Sequence, residues 1–283
     1  MPTPTTKKWL VGCGVGCGAV VVLGIALMVG GSFVMMRPFK QAVATRETLD
    51  EKHGGQADHT PALDGAIPPE RLEVFLAVRE SLMEKCAEFA EADRQFERMD
   101  ELEEDAPKRV ILEEFLKVTR TVIGMGPRMG GFFGIRNQAL LEAGMGRGEY
   151  TYIYIMAYHQ QLLTGVSEEG VMGGTRQPNA RVQQVLAQIL RNQLAALEAH
   201  ADADATGKPA GESFYQEIRE ALENEILLLE NQPRRLPWQD GLPPAIAASL
   251  EPYRARLDEL FCVHTLPFEF TQNRVRGLGI QGN

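Results

Sequence analysis

Four cysteines, two tryptophans and five histidines are all that 283 residues hold of the side chains most often recruited to disulfide frameworks and metal sites. A small disulfide scaffold is excluded by that count. No His pair stands four apart on a helix pattern, no Glu-x-x-His occurs, and no D-x-D-x-D-G loop is present. Zinc-hydrolase, diiron-bundle and calcium-loop signatures are therefore missing, and neither a metal nor a cofactor is expected. Ser167 lies in Gly165-Val-Ser-Glu-Glu169, which fails the nucleophile-turn pattern at its last position. A second absence concerns positive charge. The formal net charge is −9, so nucleic acid is not an expected partner. No solenoid repeat is visible.

Charge is absent altogether from Trp9 to Met36, a run of 28 residues. As a helix that run would rise roughly 42 Å at about 1.5 Å per residue, against a bilayer core of about 30 Å. Lys7 and Lys8 precede it, and Arg37 and Lys40 follow. A cleavable signal peptide has a shorter apolar core and a small-residue cleavage site, whereas this run ends in Phe33-Val34-Met35-Met36. Cys13 follows too little apolar sequence for a lipoprotein signal. The expectation is a single-pass signal anchor in a lipid bilayer. Its Lys-Lys opening and Gly-Cys repeats look generically like bacterial signal anchors, which implies location only. The short lysine-bearing tail stays inside and the body lies outside the cytoplasm, periplasmic or extracellular. Gly12 and Gly16, and likewise Gly14 and Gly18, form G-x-x-x-G pairs. They provide a face on which anchors can pack into a homo-oligomer.

The remainder reads as all-α. Its expected divisions are a polar tail at 1–8, the transmembrane anchor at 9–36, and a juxtamembrane segment and linker at 37–69. A helical-bundle domain of six or seven helices follows at 70–265, with a C-terminal tail at 266–283. Pro68-Pro69-Glu70 opens a helix predicted to run to about Asp105, because prolines and acids suit a first turn. Its apolar stripe includes Leu72, Phe75, Leu76, Leu82, Cys86, Phe89 and Phe96. Thirteen acids and five bases lie between Glu70 and Asp105, which makes the polar face acidic. A second helix is expected from Lys108 to Ile123. The glycine-rich stretch Gly124–Gly134 lacks any phosphate-loop pattern, so a hinge or a close helix crossing is expected there. Further helices are expected from Arg136 to Gly144, from Gly148 to Leu163, from Asn179 to His200, from Gly211 to Asn231 and from Pro243 to Phe261.

Two constellations carry what functional signal there is. Tyr150, Tyr154 and Tyr158 recur every four residues on a helix with almost no polar face. Buried tyrosines need hydrogen-bond partners. With Arg128 and Arg136 they could line a pocket for a small anionic molecule. Cys86 and Cys262 are the body's only cysteines, and in an oxidising compartment they could bridge. The leading expectation is a membrane-anchored interaction or structural module of the bacterial cell envelope with an unknown protein partner. A ligand-binding domain built on the tyrosine helix is the alternative.

Overall fold

The computed structural model describes residues 37–101, 107–164, 180–204, 212–232 and 235–269. The anchor with Gly12, Gly14, Gly16 and Gly18 lies outside the described residues, and no described helix is long and apolar enough to cross a membrane. Every regular element among the described residues is helical.

Helix α1 occupies residues 37–53. A turn-rich connection leads to α2 (Pro69–Ser81), which starts behind Pro68 and carries Pro69 and Glu70 in its first turn. The single long helix predicted over 70–105 is divided here. The Ser81 hydroxyl donates to the Val78 carbonyl, and the Leu82 N–H bonds back to Arg79 and Glu80. A serine bonding its own turn competes with helix continuation. Leu82 is buried at the break, and α3 (Met83–Asp100) follows it.

The glycine-rich stretch proves to be helix interior. Helix α4 (Lys108–Glu142) runs through all of it, Pro127 included. Helices α3 and α4 pair antiparallel, with Gln95 meeting Thr121 at one end and Lys85 lying against Gly131 at the other. Helix α1 packs parallel to the second half of α4. Pro38 and Phe39 cover Gly130, the Asn137 amide donates to the Ala42 carbonyl, and Arg147 holds Asp50. A Cβ at Gly130 would stand 2.7 Å from that of Pro38, so the missing side chain is what permits the crossing.

Helix α5 (Arg147–Ala157) is the centre of the main core. Every residue from Tyr150 to His159 is buried. A helix enclosed on all sides needs no polar stripe. The predicted single helix breaks at Tyr158, which caps α5, and α6 (His159–Thr164) follows. Helices α7 (Ala180–Asp204) and α8 (Glu212–Asn231) form an antiparallel pair, with Arg191 facing Glu230 and Arg219 facing Glu198. Leu190, Leu197, Leu222, Ile226 and Leu229 fill their seam. The predicted last helix is broken in turn into α9 (Pro244–Leu250), a 3-10 turn at Glu251–Tyr253 carrying Pro252, and α10 (Arg254–Glu259). Proline at 252 removes a backbone donor where the helix would have continued.

The body does not stop at 265. A 3-10 turn at Val263–Thr265 and the short helix α11 (Leu266–Glu269) bring Leu266, Phe268 and Glu269 into the interior. The tail expected from 266 therefore begins no earlier than 270. Among the described residues the bundle holds more helical segments than the six or seven expected: three predicted helices are each divided and α11 is added, while α4 joins two.

Candidate functional site

Arg79 interrupts the apolar stripe of α2. It follows Leu72, Phe75 and Leu76 at helical spacing and is 1% exposed. Arg136 does the same on α4, between Phe132, Phe133 and Leu140, all buried. Burying a guanidinium requires a counter-charge, and both find the same one. Glu269 of α11 accepts from Arg79 Nη1 at 2.5 Å through Oε1 and from Arg136 Nη1 at 2.9 Å through Oε2. The Tyr150 hydroxyl closes the ring. It lies 3.1 Å from Arg79 Nη1, which donates to it, and 3.2 Å from Glu269 Oε2, to which it donates. Arg79 Nη2 also reaches the Leu260 carbonyl at 3.1 Å.

Two guanidinium groups thus face one carboxylate. The positive excess lies against aromatic faces. The Arg79 guanidinium sits 5.1 Å from the Tyr154 ring and 5.5 Å from the Tyr158 ring. That of Arg136 sits 5.4 Å from Phe132, 5.5 Å from Phe133 and 5.8 Å from Tyr150. Desolvated cation–π contacts of this kind contribute about 2 kcal/mol each. Burial pushes the Tyr150, Tyr154 and Tyr158 hydroxyls up from their ordinary value, with the Glu269 charge adding to it, so all three stay protonated at neutral pH. Burial works against the Arg79 charge, but its surroundings, with the Glu269 carboxylate at 2.5 Å, hold its pKa above the ordinary value.

A clasp on α3 delivers Glu269 to this place. Cys86, Phe89 and Asp93 recur at three- and four-residue spacing, which is one helix face. Each holds one residue of the stretch 262–268, which runs into α11. Cys86 is disulfide-bonded to Cys262, with S–S 2.05 Å and a sequence separation of 176. The Asp93 carboxylate contacts His264 Nδ1 at 2.5 Å. The Phe89 ring packs against Phe268 at 4.7 Å.

The structure therefore brings four of the five predicted pocket residues, Tyr150, Tyr154, Tyr158 and Arg136, to one node. Arg128 is elsewhere: it stands eight residues before Arg136, roughly 12 Å of helix rise, with its guanidinium against Gly124. In the node the anion that meets Arg136 is Glu269 of the chain itself. Arg79 and Glu269 escaped the sequence reading, although the signal for Arg79 was present: a lone charge at an apolar-stripe position. Glu269 sits in Leu266-Pro-Phe-Glu-Phe270, an acid framed by apolar residues in what looked like a tail. Glu149 and His159, the acid and the imidazole that flank the tyrosine face in sequence, are engaged separately. Glu149 takes a bidentate pair from Arg71 at 2.6 Å, and His159 Nε2 lies 3.0 Å from the Pro237 carbonyl. Among the described residues no group of three His, Cys, Asp or Glu side chains could hold a metal ion. No family model matches the chain, and neither a curated protein nor a solved structure matches it.

Proposed function

We propose that the chain is a single-pass, membrane-anchored helical interaction module of the bacterial cell envelope, with its body outside the cytoplasm. The observation that carries this reading is continuity. The uncharged run 9–36 leads straight into α1, and α1 is fixed to the body by the Gly130 crossing, the Asn137–Ala42 hydrogen bond and the Arg147–Asp50 pair. A span attached in this way positions a rigid body relative to the bilayer. The Cys86–Cys262 bond supports the oxidising side of the membrane. The polar node supports a structural use of the buried charges, because the guanidinium groups are turned on the protein's own carboxylate.

Two measurements test the reading. The full chain should stay with the membrane pellet after alkaline carbonate extraction. A Glu220→Cys variant, with Cys13 and Cys17 replaced by serine, should react with a membrane-impermeant maleimide in intact cells. Release by carbonate sinks the anchor. Labelling only after permeabilisation reverses the orientation.

A further inference from the structure

The polar node divides into a receiver and the side chain it holds. Arg79, Arg136 and Tyr150 stand on α2, α4 and α5, and none of them belongs to the stretch that brings Glu269. Contacts outside that stretch set their places. Arg79 rests on the Tyr154 and Tyr158 rings and donates to the Leu260 carbonyl. Arg136 rests on the rings of Phe132, Phe133 and Tyr150. The carboxylate arrives on a short stretch after α10. Phe261 and Cys262 lie outside any helix, and Cys262 is extended, so the stretch hangs from α10 by an irregular link. Beyond that link it meets the body through side chains. His264 reaches Asp93, Phe268 packs on Phe89 and Phe132, and Glu269 takes the two guanidinium groups. A ring followed at once by an acid is thus read at two adjoining places, which is how arginine-lined sites take acidic peptide segments. The covalent tie is the disulfide. Cys86 is half-buried and Cys262 is 2% exposed, so an incoming thiolate meets Cys86 first.

We propose that the stretch 262–269 is an internal ligand, and that the seat it fills is a docking site for a partner segment with an acidic side chain directly after an aromatic one. The site is closed while Cys86 and Cys262 are joined, and in that form the buried charges serve structure. This deepens the interaction reading above and does not depend on the anchor. Opening takes a dithiol. One of its thiolates attacks Cys86 Sγ, the S–S bond breaks, and Cys262 leaves as a thiolate and takes a proton. The second thiolate of the dithiol then displaces Cys86. The dithiol ends as a disulfide and the two cysteines as thiols, two electrons and two protons having passed to the protein. The tie matters because a tethered segment competes at high effective concentration. Leu266 and Phe268 are buried, so the untied stretch still favours its seat, and a partner must match both the ring and the carboxylate to replace it. An emptied seat would strand two guanidinium groups, so release of the stretch and arrival of the partner go together.

The test uses the full chain in mild detergent, with Cys13 and Cys17 replaced by serine, and a fluorescein-labelled peptide of residues 263–269 as the probe. Peptide anisotropy is read with the bond intact and after treatment with dithiothreitol. The reduced chain should bind the peptide several-fold more tightly than the bonded one. Peptides carrying Glu269→Gln or Phe268→Ala should each bind several-fold more weakly. Hydrogen exchange at residues 262–269 of the reduced chain should speed up when the peptide is added, while amides of α2, α4 and α5 keep their protection. Equal binding to the bonded and reduced chains overturns the proposal, because the bond then closes nothing. Equal binding of the Glu269→Gln peptide overturns it by removing the arginines from recognition. Loss of protection in α2, α4 and α5 on reduction makes the bond a staple of the whole body and overturns it too. So does a reduced chain whose body stays protected and which binds no peptide. No arm uses attachment to a membrane, so each of these results leaves the anchor reading where it stands.

Discussion

Glu269 is a single side chain on which two buried arginines depend. Removing one partner of a buried ion cluster leaves charge without compensation, at about 3–5 kcal/mol. Glu269→Ala should therefore destabilise the body by about that much in denaturant titrations of the full chain in mild detergent. Replacing the whole node with apolar residues of similar volume, Arg79→Met with Arg136→Met and Glu269→Leu, should cost less than the single change, since no charge is then stranded. A triple variant weaker than Glu269→Ala would show that the ions contribute net stability. Histidine gives a second prediction at this scale. Burial lowers the His59 and His159 pKa values below the ordinary 6.5, outweighing in each case the nearby groups that raise them. A histidine depressed in the fold stays neutral there and takes up its proton more readily once unfolded. Its contribution is complete above the unfolded value and is lost as pH falls through the folded one. Tm should fall between pH 7 and pH 5, and His159→Gln should flatten that dependence. An unchanged slope would remove His159 from the account.

At the scale of elements, α4 separates two kinds of helical glycine. A Cβ at Gly130 would collide with Pro38, whereas one at Gly126 meets nothing within 4 Å. Gly130→Ala should destabilise by about 1–3 kcal/mol through overpacking. Gly126→Ala should stabilise by about 0.5–1 kcal/mol through helix propensity. Equal effects would mean that α1 does not sit on Gly130. The same helix shows what the sequence could and could not convey. Periodicity placed the apolar stripe that runs through α2 and α3, because burial on one face leaves a 3.6-residue trace. It failed where tertiary contact overrode local propensity. The glycines at 124, 126, 130, 131 and 134 suggest a hinge or a close crossing; α4 runs unbroken through them, and the close crossing is found at Gly130, against Pro38 of α1. The break at Leu82 went unseen because neither proline nor glycine marks it. The tyrosine face was legible from spacing. Its partners were not, because Arg79 and Glu269 lie 190 residues apart and only the fold joins them.

For the whole molecule the governing feature is the bond between Cys86 and Cys262. Closing a loop of about 176 residues restricts the unfolded chain by about 5 kcal/mol in the loop-entropy model. Cys86→Ser with Cys262→Ser should lower stability by about 3–5 kcal/mol. It should also loosen the segment that presents Glu269, which hydrogen exchange at residues 262–269 would register. Retained protection there would mean that Asp93 and Phe89 hold the clasp without the sulfurs.

The bond also divides the chain mechanically. Residues 86–262 form a covalent ring, and α1 and α2 hang outside it on the N-terminal side. Tension entering at the N-terminal end would load the contacts of α1 with Gly130 and Asn137 of α4 and with Arg147 of α5 first. At residue 86 the load passes directly into the disulfide, so the chain between the two sulfurs is shielded from it. A pull between the two ends of the chain would therefore strip a short leader from the body and then meet an abrupt rise in resistance at residue 86.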